Sequence, residues 1–550
     1  MMAKLHEKSA KICINKYKVK LIFIIILILQ IIFKIVIDFN KNGYYCDEMY
    51  SYGLMNYKQA YLTEEKNFMD HWHKNEYYDK YITLDKNDGL NLKQIYKNQI
   101  EDYHPILYYV LLRIFSFFSI RGFSKWSGLI LNLIIFAFCD LVVFKISKKI
   151  FKNDYISLLI MGVYGFSLFS AENTLFIRMY QLLELCLLLL TYWTINNYDI
   201  KEDENKKNII KEYLKLTLII SFGCLTHYYF LTFLVGIIII FTIRLLRKHR
   251  FKEILLLIFT ILCSQLLTYL IYPNYFKQIS RGSGRSQNTI STGINLKDIL
   301  SRQKQYLNLL DSNMFFIYLR YIILGILIFE IIILILKKLK KQKLIKANYN
   351  SKMNIIIFPL LFDWLYITIT SQSITLRYIL PIFVFILFAF FYFTNLIIRT
   401  LFKNKKSILA IMLIISVICV IPIEGRKIEF QYYESKNNYE IINQYKDIPL
   451  IYFYNPNPIL ENDFMVYYDY VRKFNESFIM EKDKFSIGYL ERILYKIDTS
   501  NGIILSDTSN TCEGVCKKII KYTNFSNYTK ILEFTKSKKE NTYRYFYYIY

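Results

Sequence analysis

The segment 42–54, NGYYCDEMYSYGL, sets two adjacent carboxylates, Asp47 and Glu48, among tyrosines shortly after an apolar run at 21–37. A carboxylate bounded by aromatic rings and a bilayer surface loses part of its hydration. Its pKa then rises toward the range useful to a general base. A solvated turn after a membrane segment uses the same residues without chemistry, and both readings stand on sequence alone. Further along, DYHPILYYVLL places His104 before Pro105 at the head of an apolar helix. AENTLFIRMYQLLELC carries Glu172, Arg178 and Tyr180. Arg178 offers a planar fork of donors suited to a phosphate or carboxylate, although Arg and Tyr also serve as interfacial anchors. CLTHYYF puts His227 and Tyr228 between two apolar runs, and SQSITLRYILP puts Arg377 and Tyr378 at the edge of another. Asp140, Glu184, Glu330 and Asp363 lie inside apolar runs. Ionisable groups are costly in a bilayer, so these four are either a proton path or partners of basic residues on neighbouring helices.

The elements that must position these residues are membrane spans. The chain has 550 residues, 54% of them hydrophobic and 18% aromatic, which excludes an ordinary soluble protein. Apolar runs fall at 21–37, 105–120, 126–144, 154–170, 174–195, 213–225, 228–243, 253–272, 314–336, 354–370, 376–398 and 407–423. Most approach the roughly 17–25 residues that cross a bilayer. The formal charge of +26 is concentrated in short loops between these runs. That is the pattern of cytoplasmic membrane loops and not of a nucleic-acid surface. If every run crossed, the basic loops around 145–152, 244–250, 337–346 and 403–406 would lie outside. Removing 105–120, which begins with Pro105 and carries Arg113 near its centre, restores every basic loop to the inner side. That segment is expected to be an interfacial or re-entrant helix. About eleven spans remain, with Asp47, Glu48, His104, Glu172, Arg178, His227, Arg281, Arg285 and Arg377 at the outer face. Lys16, Lys18 and Lys20 before the first run mark a retained signal anchor.

The expected architecture is an α-helical polytopic domain over 1–423, including an exterior loop at 38–125, followed by a small extracytoplasmic α/β domain over 424–550. In that tail IPLIYFYN, FMVYYDY, NGIILSDT and YRYFYYIY read as strands, and TCEGVCKKIIKYT reads as a helix. The loop 273–312, with SRGSGRSQNTISTG, reads as a basic lid or a plain linker. Cys139, Cys186, Cys224, Cys263 and Cys419 are core hydrophobes. Cys512 and Cys516 fall in the polar tail, and whether they form a disulfide stays open. No metal-ligand spacing is present.

Taken in order, these segments resemble the GT-C membrane glycosyltransferases. The resemblance is nearest to the protein mannosyltransferase-like family 39 group, with its Rgt-like and aminoarabinose transferase-like enzymes. DE after the first span, HPILYYVLLRIFS, SAENTLFIRMYQLLELCLLL, THYYFLTFLVG, RYILPIFVFILF and the basic loop KISKKIFKND carry it, over roughly 40–400. The chain departs from the family pattern at Ile106, where a second proline is usual, and at Glu172, six residues before Arg178 where two is usual.

The resemblance implies inverting transfer of a sugar from a polyprenyl-phosphate donor to a lipid, polysaccharide or protein acceptor, on the outer face of the cytoplasmic membrane. By the same resemblance Asp47 is the general base and Glu48 assists or orients the acceptor. Arg178 and Arg377 stabilise the leaving phosphate, and His104, His227 and Tyr228 line the donor pocket, with Glu172, Tyr180 and Tyr378 beside them. A divalent cation is neither required nor excluded by the residues. An envelope-polysaccharide flippase or polymerase and a non-catalytic membrane scaffold share the polytopic, basic-inside character. A flippase, however, has no need of an exterior acidic pair beside a His-Pro helix.

Overall fold

The computed structural model describes residues 2–85, 87, 89–118, 122–199, 206–280, 295–313, 350–371, 374–420, 428–432, 435–454, 463–507, 512–535 and 543–550. The chain forms two compact units. One comprises Met1–Phe39, Tyr103–Tyr108 and Gly128–Glu429, and the other Asn40–Asp102, Tyr109–Ser127 and Phe430–Tyr550. In chain order the described helices begin with α1 (Met2–Phe39), α2 (Cys46–Asn56), α3 (Asn75–Ile82), α4 (Leu92–Glu101) and α5 (Leu107–Phe117). Then come α6 (Lys125–Phe151), α7 (Asp154–Phe166), α8 (Leu168–Leu175), α9 (Tyr180–Asn197), α10 (Lys206–Thr226), α11 (Tyr229–Arg247) and α12 (Phe251–Ile271). They are followed by α13 (Leu296–Asn313), α14 (Asn354–Thr370), α15 (Phe383–Leu401) and α16 (Lys405–Val420). The last are α17 (Ser435–Tyr445), α18 (Asp463–Val471), α19 (Ile487–Leu494) and α20 (Cys512–Tyr522).

The first unit is the membrane body. Among the described residues six helical segments are long and apolar enough to cross a bilayer: Lys16–Phe39, Lys125–Phe151, Tyr229–Arg247, Phe251–Ile271, Ser351–Thr370 and Leu376–Leu401. The pair α7 and α8, bent by 51° at Ser167, makes a seventh if counted as one span. On α12, Leu255, Phe259, Leu262 and Leu266 are all exposed, at spacings of three and four, as a lipid-facing stripe requires. The chain is a helical membrane protein. The run expected at 314–336, and Glu330 within it, lie outside the described residues, as do Arg281 and Arg285. The run expected at 174–195 is not one helix: it is broken over residues 176–179, between α8 and α9.

The second unit is built on a six-stranded sheet of β1 (Trp72–Lys74), β2 (Leu450–Tyr454), β3 (Glu476–Glu481), β4 (Ile503–Asp507), β5 (Tyr528–Thr535) and β6 (Tyr543–Ile549), in the order β1-β3-β2-β4-β6-β5. β3, β2 and β4 are parallel, so helices must cross between them; α18 and α19 do so. β2 and β4 are buried along their whole length, because a parallel strand is covered on both faces. Cys512 and Cys516, one helical turn apart on α20, are free thiols packed into the core with Phe453, Leu505 and Ile549. Trp72, His73 and Lys74, from the segment between α2 and α3, form the antiparallel edge strand, paired with Phe478, Ser477 and Glu476.

Two expectations for local structure are corrected. FMVYYDY is not a strand but lies within α18: Phe464, Tyr467, Tyr468 and Val471 are buried at helical spacing, which its strand-like composition conceals. The loop 273–312 contains α13, whose first turn is held by Lys297 N–H donating to Asn295 Oδ1 at 3.1 Å.

Among the described residues α5 has 11 residues, too few to span a bilayer, and it carries Arg113. The guanidinium is fully buried in the second unit. It donates to Met55 O at 2.8 Å and to Gly89 O at 2.8 and 3.2 Å. Arg113→Leu would strand both carbonyls, at about 1–3 kcal/mol each. Thermal unfolding of the purified protein is expected to show that loss as a lowered midpoint; an unchanged midpoint would contradict it.

Candidate functional site

The site begins at the helix break. Ser167 ends α7 and caps α8, its Oγ accepting from Ser170 N–H at 3.1 Å. α8 closes with Phe176 N–H donating to Glu172 O at 3.0 Å. A tight turn follows, in which Arg178 N–H donates to Phe176 O at 2.7 Å. Arg178 therefore projects from unwound backbone, and its side chain is only 4% exposed. Irregular backbone at membrane depth is tolerated where protein buries it or where it lines a cavity.

Three other segments of the same unit join Arg178 around His227. His104, ahead of α5, places Nδ1 3.5 Å from Arg178 Nη2. His227 occupies the joint between α10 and α11, with its ring 5.7 Å from that of His104. Its Nδ1 accepts from Tyr229 N–H at 3.0 Å, which leaves Nε2 to carry the proton of the neutral ring. Tyr180 and Tyr229 wall His227 at centroid distances of 5.5 and 4.8 Å. Tyr378 lies 5.7 Å beyond Tyr229, and Arg377 sits 5.0 Å over the Tyr378 ring, with Nη2 donating to its hydroxyl at 3.3 Å.

Charge decides what this arrangement can hold. Burial drives the His227 pKa well below the ordinary imidazole value, and neighbouring His104, Arg178 and Arg377 push the same way. On the acidic side, buried Glu172 accepts from the Glu429 backbone N–H at 2.5 Å. Burial raises the Glu429 carboxyl, and Arg377 opposes that rise. Two guanidinium groups and two imidazoles framed by tyrosines suit an oxyanion.

Asp47 and Glu48 belong to the second unit. Glu48 is fully buried, with Lys41 Nζ 3.0 Å from Oε1 and 3.1 Å from Oε2. It also accepts from Tyr45 N–H at 2.7 Å, as the third residue of a helix does in a capping box. Lys41 in turn donates to Phe430 O at 2.7 Å. Asp47 is half-buried in the first turn of α2, with Cys46 Sγ 4.0 Å from Oδ1. Gly53 on the same helix has no room for a Cβ, which would lie 1.9 Å from Tyr81 Cζ.

The structure thus brings together His104, Arg178, Tyr180, His227, Arg377 and Tyr378. Glu172 stands on the helix before the break. Tyr228 turns away, its hydroxyl donating to Gln278 Oε1 at 2.6 Å and its ring 5.6 Å from Tyr275; Tyr229 stands beside His227. The sequence offered no way to choose between adjacent tyrosines whose facing depends on where α11 starts. Glu429 was missed as well, because no motif surrounds it. Two of the acids inside the spans have hydrogen-bond partners, whereas both carboxylate oxygens of Asp140 are buried without one among the described residues. Glu184 accepts from Asn173 and Gln181 at 2.8 and 3.0 Å, and Asp363 from Thr232. Buried Lys34, bonded to Ser170 Oγ at 2.9 Å, lies in the combined field of Asp38, Glu184 and Asp140. Among the described residues no group of three or more His, Cys, Asp or Glu is arranged to hold a metal ion.

Fold and site together define a helical membrane protein with a buried, cationic, tyrosine-walled cluster at a helix break. No family model matches the chain, and no curated protein matches it in sequence. Among solved structures it is similar to the crystal structure of ArnT from Cupriavidus metallidurans bound to undecaprenyl phosphate. Sequence identity is 9%, the TM-score is 0.47, and the match covers 95% of this chain and 97% of that chain.

Two outcomes follow. Glu48→Ala is expected to lose about 3–5 kcal/mol of stability, because it leaves the buried Lys41 ammonium uncompensated; chemical denaturation in detergent reads it. His227 is expected to stay neutral at pH 7 and below the ordinary imidazole midpoint, since its folded pKa is depressed. The unfolded chain binds the proton first, so this residue's contribution to stability falls as pH drops through that midpoint. Nitrogen NMR of labelled histidine checks it; an imidazolium signal for His227 at pH 6.5 would contradict it.

Proposed function

We propose that the protein is a membrane glycosyltransferase. It moves a sugar from a polyprenyl-phosphate donor to an envelope acceptor, on the outer face of the cytoplasmic membrane and with inversion. The observation that carries this reading is the convergence of Arg178, Arg377, His104 and His227 on one buried, tyrosine-walled place in the membrane body. Such a place suits a phosphate whose tail stays in lipid. The motifs that resemble the GT-C enzymes supply the reaction class.

In this reading an acceptor hydroxyl attacks the anomeric carbon from the face opposite the phosphate. The new oxygen–carbon bond forms as the bond from carbon to phosphate oxygen breaks. The hydroxyl proton passes to a base, a role for which the resemblance to the GT-C enzymes offers Asp47, and the electron pair leaves with the polyprenyl phosphate. The two arginines face the charge that grows on that phosphate, so they bind the transition state more strongly than the donor. Neutral His227 offers Nε2–H as a hydrogen-bond donor without holding the product by a full charge. Tyr180, Tyr229 and Tyr378 present aromatic faces and hydroxyls to the sugar. Glu48 supports Asp47 by fixing the first turn of α2 through Lys41 and Tyr45.

The test uses full-length protein in lipid with labelled undecaprenyl-phosphate sugars and an envelope extract as acceptor. Wild type is expected to transfer the label or slowly hydrolyse the donor, and Asp47→Asn to do neither while still binding donor. Arg178→Gln and Arg377→Gln are each expected to slow turnover on the order of 100-fold. Absence of turnover with every donor by folded wild type would overturn the reading. Full activity in Asp47→Asn would remove Asp47 from the mechanism.

A further inference from the structure

Asn132 on α6 is fully buried, and its side-chain amide makes three hydrogen bonds. Nδ2 donates to Thr174 O at 3.0 Å and to Phe176 O at 2.9 Å. Oδ1 accepts from the Tyr108 hydroxyl at 3.2 Å. Tyr108, Thr174 and Phe176 are buried too, so no bulk water competes for these groups.

The placement of those partners gives Asn132 its importance. The last carbonyls of a helix have no donor within the helix, and a buried carbonyl left unpaired is costly. Thr174 and Phe176 supply two such carbonyls where α8 gives way to the turn that presents Arg178. Phe176 O is also the acceptor of the Arg178 N–H, so the carbonyl that Asn132 holds is the one that fixes the Arg178 backbone. Tyr108 follows His104 by four residues, in the first turn of α5. One planar amide therefore ties the segment bearing His104 to the segment bearing Arg178. The task needs two donors and one acceptor. Aspartate lacks the donors, and leucine of similar size lacks all three.

We infer that Asn132 is a positioning residue. It touches no substrate, and through the turn at 176–178 and through Tyr108 it sets the separation and aim of Arg178 and His104. This rests on the reading of that cluster as the site of the donor phosphate.

The test measures binding of undecaprenyl phosphate to the full chain in nanodiscs for wild type, Asn132→Asp, Tyr108→Phe, Arg178→Gln and the double variants with Arg178→Gln. Melting temperatures are recorded alongside. Asn132→Asp is expected to lose affinity on the order of tenfold. Tyr108→Phe, which deletes a single hydrogen bond on the His104 side, is expected to lose affinity by a smaller factor, with a lowered melting temperature from the unpaired Asn132 Oδ1 but the fold retained. Positioning through Arg178 makes the Asn132→Asp loss largely vanish when Arg178 is already Gln. Additive losses, or wild-type affinity in both Asn132→Asp and Tyr108→Phe, overturn the inference and leave the donor site standing. If Asn132→Asp fails to fold, Tyr108→Phe alone decides: wild-type affinity there overturns the inference. Failure of wild type itself to bind the lipid phosphate removes the donor site, and the positioning role with it.

Discussion

A helix broken inside a membrane body must find partners for every backbone group the break exposes, because lipid offers none. Here the break falls between α8 and α9, and the rest of the candidate site depends on how it is satisfied. The Arg178 amide folds back on Phe176, and the Asn132 side chain takes the carbonyls of Thr174 and Phe176. A continuous helix would satisfy its own backbone and would have no reason to hold Arg178 in a turn. The break converts a residue that could have been an interfacial anchor into one enclosed by protein.

Enclosure then sets the electrostatics. Arg178, Arg377 and His104 surround His227, and burial removes the water that would have spread their charge. The acids nearby do not erase that field evenly: Glu172 is engaged by a backbone N–H and Glu429 is raised by burial. A separate set of titratable groups, Lys34 with Asp38, Asp140 and Glu184, is gathered elsewhere in the same body through α1, α6 and α9. Glu184 is bonded to Asn173 on α8, and Lys34 to Ser170 on the same helix. α8 therefore has a polar network anchoring it in addition to the apolar contacts of the bundle.

The second unit uses different means for a similar end. Glu48 is both the cap of α2 and the partner of buried Lys41, so the turn that carries Asp47 is held by an ion pair and a backbone bond at once. Arg113 closes carbonyls from two other segments. The segment between α2 and α3 contributes the edge strand β1 to a sheet otherwise formed by residues after 449, more than 370 positions later.

The sequence by itself determined the membrane character, through the length of its apolar runs and the grouping of its basic loops. It also read 105–120 as an interfacial or re-entrant segment, because Pro105 opens it and Arg113 falls near its centre, and the described helix there, Leu107–Phe117, is too short to span. It named His104, Arg178, Tyr180, His227, Arg377 and Tyr378 as residues that could share a site, since each sits at the end of an apolar run. Strands and the helix at 512–522 were legible in the tail where period and composition agreed, and 464–470 was misread where they disagreed. Only tertiary structure decided that Tyr229 and not Tyr228 faces His227, that Glu429 joins Glu172, and that Asn132 governs the turn before Arg178. Those choices depend on where helices break and which polar groups the break leaves unpaired. That is a property of packing between distant segments, which no local pattern encodes.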